Sequence, residues 1–231
     1  MIYVISDIHG EYDLFIKLLQ RIHFSSNDEM IICGDAIDKG QDSVKLLKFI
    51  KSMPNFRFII GNHEYAFLKQ YWAIMQQSPD DFDEVLKQLQ SYFSHDGALL
   101  DWELIDWLES RPYYIEEENF VCVHAGVELD EDNRIIPLEQ TSKEHLVCDR
   151  RFKEPNVVPI TNKCVFFGHT PTSYLQSGEK IVKYKWDTRF TNTIHDYYKI
   201  HLDLGVWIHG VLGCFCVDTC EEFYVDKWGN I

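Results

Sequence analysis

The chain opens Met1-Ile2-Tyr3-Val4-Ile5-Ser6-Asp7-Ile8-His9-Gly10, and this stretch decides the fold class. A short run rich in β-branched residues ends abruptly in an acid, an imidazole and a glycine. Such a run predicts a buried strand, and the break marks its C-terminal end. The same ending recurs. Met30–Cys33 runs into Gly34-Asp35-Ala36-Ile37-Asp38-Lys39-Gly40, and Phe56–Ile60 into Gly61-Asn62-His63-Glu64. Phe120–Val123 runs into His124-Ala125-Gly126, and Cys164–Phe167 into Gly168-His169-Thr170-Pro171.

Helical spacing lies between the first three runs. Leu14, Leu18 and Ile22 repeat with Phe15 and Leu19 beside them; Val44, Leu47 and Lys48 repeat, continued by Ile50 and Lys51. Strand–helix–strand order implies βαβ units and parallel pairing, hence an α/β class. Residues 64–115 carry helix formers, Trp72, Trp102 and Trp107, and the acidic patch Asp80-Asp81-Phe82-Asp83-Glu84. They read as a helical insertion packed beside the sheet. Strands return at Tyr198–Leu202, Val211–Val217 and Glu222–Val225. With 231 residues and no internal repeat or Pro/Gly linker, the chain 1–231 reads as one domain with a helical cap.

Composition narrows the function. Hydrophobic residues make up 45%, enough for a sizeable core. A net charge of -15 argues against nucleic acid or anionic lipid as a partner. A site for phosphate in such a chain needs local positive charge, which bound cations can supply. The first strand lacks the basic flank and cleavage site of a signal peptide, and no apolar run is long enough to span a bilayer. Cys33, Cys122 and Cys164 lie in apolar runs and read as reduced core thiols of a cytoplasmic protein. Cys214, Cys216 and Cys220 cluster, but no second cluster partners them, so a metal there is the weaker reading.

In open α/β sheets ligands bind at the carboxyl ends of the strands, where all five endings fall. Asp7 and His9, two apart on an extended segment, are expected on one side, able to reach one cation together. Asp35 has two oxygens and can bridge two cations; Asn62 offers a neutral oxygen, and His63 a proton near neutral pH. Each ending alone reads more readily as an ordinary polar turn; five in one chain do not. Carboxylate, amide and imidazole ligands suit neither a structural zinc site nor an all-oxygen calcium site. They suit manganese, iron or zinc in a two-metal hydrolytic centre.

These blocks, in this order, resemble the calcineurin-like metallophosphoesterases, particularly the phosphoprotein-phosphatase branch with its bacterial and phage members. Leu202-Asp203-Leu204-Gly205 is similar to that family's segment before the closing strands. The resemblance implies a β-sandwich of mixed sheets flanked by helices. It implies a first metal on Asp7, His9 and Asp35, and a second on Asp35, Asn62, His124 and His169, with manganese the expected metal and iron or zinc the alternatives. It implies in-line attack on phosphorus by a water the cations activate, with His63, paired to Asp38, as general acid. Phosphate contacts fall to Asn62, Lys39 and either Arg150 or Arg151.

Two departures stand out. Position 39 is Lys where the branch usually has Arg, which loses the planar two-pronged grip on phosphate. Aligned on Leu146 and Phe152, the position of a second phosphate-binding Arg falls on Asp149. The resemblance favours a serine/threonine protein phosphatase acting on a phosphorylated protein or a small phosphoester. Its alternatives are a symmetrical bis(5'-nucleosyl)-tetraphosphatase, whose members typically lack the carboxylate of Asp38, another phosphodiesterase, and a non-catalytic scaffold. Among the remaining histidines, His23, His145, His195 and His201 read as structural, and His95 and His209 as candidates to line the cleft.

Overall fold

A computed structural model of the chain describes residues 1–77, 101–175, 178–186 and 191–229. The acidic patch at 80–84 and His95 lie outside them. Two five-stranded sheets face each other. In the first, β1 (Ile2–Ile5), β2 (Glu29–Ile32) and β3 (Phe56–Phe58) run parallel. Their connecting helices are α1 (Tyr12–Arg21) and α2 (Ser43–Ser52); β9 (Val211–Cys216) and β10 (Glu222–Asp226) extend the sheet antiparallel. In the second, β5 (Phe120–Val123), β6 (Cys164–Phe167) and β8 (Tyr197–His201) are parallel. The strands β4 (Tyr114–Glu116) and β7 (Val182–Lys185) close its edges antiparallel.

Side-chain alternation sets the layers. Val4 and Ile31 point inward and meet Cys122, Phe166, Ile200 and Phe215 in the core between the sheets. Tyr3, Ile5, Met30 and Ile32 point outward and are covered by Leu14, Phe15 and Leu18 of α1 and Val44 and Leu47 of α2. Lys48 and Lys51, grouped with that stripe by spacing, instead face solvent and pair with Asp101 at 2.9 Å and Glu103 at 3.7 Å. Burial of these apolar faces on both sides of the first sheet explains why its strands read as continuous hydrophobic runs.

Within the stretch 64–115 two helices are described, α3 (Asn62–Gln77) and α4 (Trp102–Glu109), and Trp107 stacks on Phe58 at 5.6 Å. The stretch ends in β4 rather than helix. This strand and β7 escaped the sequence pattern because both are short edges, only partly buried and polar at alternate positions. The last helices are α5 (Lys143–Cys148) and the single turn α6 (Val206–His209). All seven cysteines are free thiols; all but Cys148 are buried, including Cys214, Cys216 and Cys220, which pack into the core. No helix among the described residues is long and apolar enough to cross a membrane.

Candidate metal centre

The parallel strands of both sheets end at one rim, and the loops leaving them carry the predicted residues. The backbone there is unusual. Asp7, His9, Asp35, Asp38, Lys39 and His169 all adopt left-handed φ values between 47° and 72°. Residues other than glycine seldom take this conformation, and it gathers where a site over-determines the chain. It also corrects the expectation for Asp7 and His9. They share a side because both sit in left-handed turns, not because an extended strand alternates.

Glycines let the loops touch. A Cβ on Gly34 would sit 2.5 Å from Gly61 Cα, and one on Gly168 2.1 Å from Asp7 Oδ2. The third and fifth strand endings are thereby pressed onto the first two.

Asp35 Oδ2 is the hub. It lies 3.6 Å from His9 Nε2, 3.5 Å from His124 Nε2 and 3.8 Å from His63 Nε2. His9 Nε2 is 3.8 Å from Asp7 Oδ1. These separations are too long for hydrogen bonds but close to the roughly 3 Å between donors sharing a cation with bonds of ~2.0–2.2 Å. The imidazoles are oriented from behind: His9 Nδ1 donates to the Ile37 carbonyl and His124 Nδ1 to the Cys33 carbonyl, each at 2.8 Å. That tautomer turns both Nε2 lone pairs toward the hub. Asn62 Oδ1 sits 2.9 Å from His124 Nε2 and 2.7 Å from His169 Nδ1.

The donor set fits divalent cations. Asp7 Oδ2 accepts from Ser6 Oγ and from the His169 amide, which leaves buried Oδ1 without a partner; His169 Nε2 is orphaned likewise. A buried polar atom without a partner calls for an explanation, and a cation supplies one for Asp7 Oδ1, which lies 3.8 Å from His9 Nε2. Burial and the charge of Asp7 push the Asp35 carboxyl well above its usual range, a strain a cation relieves. Burial draws His9 and His169 down to about 3, so both are neutral lone-pair donors at neutral pH. Among the described residues, two overlapping groups satisfy metal spacing: Asp7, Asp35 and His124, and His9, Asp35 and His63.

His63 differs from the other imidazoles. Its Nδ1 bonds Asp38 Oδ2 at 2.6 Å. Burial depresses its pKa, but that bond and the Asp35 charge outweigh burial and leave it raised. A protonated imidazole donates a proton rather than a lone pair, so this geometry suits an acid better than a ligand. Lys39 Nζ lies 3.0 Å from His9 Nε2. The charge of Arg150 is among the causes that lower the pKa of His169, after burial and the neighbouring His124. Arg151 is turned away toward Asp149, at 3.6 Å, on the wall of another cleft. Asp149, at the suspected arginine position, accepts from the amides of Arg151 and Phe152 and so shapes the turn.

Sequence reasoning passed over Glu64. Completely buried, it accepts from the amides of Asp35, Ala36, Ile37 and Gly61 at 2.8–3.2 Å, tying the second strand ending to the third. The available signal was a carboxylate inside an otherwise metal-binding block. His209, a candidate cleft residue, bonds Ser173 Oγ at 2.9 Å and lies 3.2 Å from Glu179.

Comparison with known proteins gives the family. The profile of the calcineurin-like phosphoesterase family matches residues 1–210. A symmetrical bis(5'-nucleosyl)-tetraphosphatase of Aggregatibacter actinomycetemcomitans is 32% identical over 134 residues, covering 56% of this chain and 46% of the relative. One from Enterobacter sp. (strain 638) is 34% identical over 129 residues, covering 54% and 43%. The aligned region thus spans about half the length of these curated relatives. Among solved structures, a putative diadenosine tetraphosphatase superposes with TM-score 0.68 at 18% identity, covering 98% of this chain and 93% of its own. A protein serine/threonine phosphatase from Saccharomyces cerevisiae gives TM-score 0.53 at 15% identity, covering 92% and 71%. At such identities these two speak for the fold alone. The mixed sheets, the rim they share and the profile match across most of its length place the chain in the calcineurin-like phosphoesterase family.

Proposed function

We propose that the chain hydrolyses the phosphoanhydride of a dinucleoside polyphosphate, using cations held by Asp7, His9 and Asp35 and by Asp35, Asn62, His124 and His169. The observation that carries this reading of the centre is Asp35 Oδ2, which faces nitrogens of His9, His63 and His124 at 3.5–3.8 Å while the buried Asp7 Oδ1 has no partner. The substrate class rests on the tetraphosphatase relatives, and it takes precedence over the protein-phosphatase reading favoured by the sequence blocks. When bound, the cations polarise water and neutralise phosphoryl oxygens. The protein's own groups do the rest. Lys39 and Arg150 supply cationic contacts to phosphate, and Asn62 orients one oxygen. His63 gives its Nε2 proton to the departing oxygen while Asp38 holds Nδ1. The water oxygen bonds phosphorus as the bridging P–O bond breaks, and the products are two nucleoside phosphates.

One observation favours a second reading, phosphoserine or phosphothreonine hydrolysis. A phosphate leaving group ionises near pH ~6 and departs with little help, whereas an alkoxide needs a proton in the transition state. The 2.6 Å His63–Asp38 pair is a device for the harder departure. A manganese-supplemented comparison of diadenosine tetraphosphate, a phosphoserine peptide and a bis-aryl phosphodiester decides between them. Preference for the dinucleotide is expected; preference for the peptide transfers the assignment to the second reading.

A further inference from the structure

A cleft of about 500 Å³ opens beside the centre, and Lys39 is the residue the two share. Its Nζ lies 3.0 Å from His9 Nε2 on one side and 4.9 Å from the middle of the Trp207 ring on the other. Trp207 stands on α6, a single turn flanked by Gly205 and Gly210, both left-handed. Val206 of that turn is buried, while Trp207 remains 46% exposed. The fold therefore spends a constrained turn on presenting an indole face to a cleft. The volume falls within the range of small-molecule sites, about 300–1,000 Å³.

Charge defines what would fill it. Lys17, Lys39 and Lys227 line the cleft, and so do Glu11, Asp13 and Asp42, so the formal charges cancel. Glu11 is tied to Lys227 at 2.6 Å, and Asp13 lies 3.5 Å from Lys45. A neutral, polar, aromatic-faced cleft is a poor host for further phosphates and a good one for a nucleoside. At its inner end Lys39 offers the charge that a phosphate chain would meet.

We propose that this cleft binds the nucleoside of a nucleoside polyphosphate, its base stacked on Trp207 and its phosphates passing Lys39 to the metal centre. This rests on the reading of the centre given above and adds the subsite that selects nucleotides over other phosphoesters. Stacking of a base on an aromatic side chain is worth about 1–3 kcal/mol, or roughly 5- to 150-fold in affinity or kcat/KM.

The test uses the manganese-loaded protein and two Trp207 variants. ADP binding is measured by calorimetry, and the ratio of kcat/KM for diadenosine tetraphosphate to that for p-nitrophenyl phosphate is measured in parallel. Trp207→Ala is expected to weaken ADP binding and lower the ratio by about tenfold or more; Trp207→Phe, which keeps a ring, recovers most of both. Unchanged ADP affinity and an unchanged ratio in Trp207→Ala overturn the subsite. So does equal loss in the Ala and Phe variants, which would mark a structural role. Wild-type protein that binds ADP but hydrolyses no phosphoester would instead sink the reading of the centre, leaving the binding result to stand alone.

Discussion

Replacing Glu64 by Gln should loosen the centre from behind without touching a candidate ligand. Glu64 Oε1 accepts from the amides of Ala36 and Ile37, and Oε2 from those of Asp35 and Gly61. Only a carboxylate presents acceptors on both sides. Whichever way a glutamine turns, its NH2 group faces two backbone N–H donors and leaves them unsatisfied inside the protein. Each buried unsatisfied donor costs about 1–3 kcal/mol, and the two remaining bonds weaken from charged to neutral. Removing a buried charge offsets part of this, since burial raises the Glu64 pKa against the pull of the amides. The net expectation is about 3 kcal/mol, or a fall in Tm of roughly 6–12 °C for a chain of this size. Because the same bonds set the Asp35 loop against Asn62, manganese affinity should fall by about 10- to 100-fold, as for other outer partners of metal ligands. Thermal melts of metal-free protein give the first number, and manganese titration the second. A Tm within about 2 °C of wild type, with unchanged metal affinity, would refute the claim that Glu64 clamps the two loops together.

Three other perturbations follow from particular contacts. His63→Asn should lower kcat by about 10²–10⁴-fold on any phosphomonoester the wild type turns over, while metal stoichiometry is retained; unchanged kcat removes His63 from the acid role. Lys199, fully buried, donates to the carbonyls of Phe152, Glu154 and Val157 at 2.7–2.8 Å. Lys199→Met strands three acceptors and should cost about 3 kcal/mol in denaturant unfolding; a change under about 0.5 kcal/mol contradicts this. Burial draws His201 down to about 4 from an ordinary 6.5, and its ring stacks on Phe167 at 4.4 Å. The unfolded chain takes up a proton as pH falls through 6.5 while the folded one does not until about 4, so stability contributed above 6.5 is lost across that window. In metal-free protein, His201→Phe should therefore show a smaller Tm drop between pH 7.5 and pH 5 than wild type; equal drops argue against a neutral His201 in the fold.

Much of the site was legible because strand endings advertise themselves. Apolar runs such as Ile2–Ile5 and Cys164–Phe167 stop at residues with chemistry, and parallel pairing forces those stops onto one rim. What periodicity could not convey was local backbone geometry. Asp7 and His9 converge through left-handed turns, which no two-residue alternation predicts. Arg150 and Arg151 are adjacent in sequence, yet the turn capped by Asp149 sends Arg151 outward, an outcome set by two backbone hydrogen bonds rather than by residue type. Trp207 gave no signal at all. An exposed indole in a short glycine-flanked turn is informative only once Lys39, far away in the chain, is seen to lie 4.9 Å from its ring. Substrate choice is the hardest to read because the proposed subsite is built from such distant walls, while the candidate metal ligands sit in compact blocks.

The account depends on a pair of cations gripped across Asp35, whose Oδ2 faces three imidazole nitrogens at 3.5–3.8 Å. Electron paramagnetic resonance of manganese-titrated protein, read beside elemental analysis, tests this most directly. Two manganese ions per chain with an exchange-coupled signal, both lost or uncoupled in Asp35→Asn, are the predicted result. A single uncoupled ion in wild type, or coupling that survives Asp35→Asn, would contradict it.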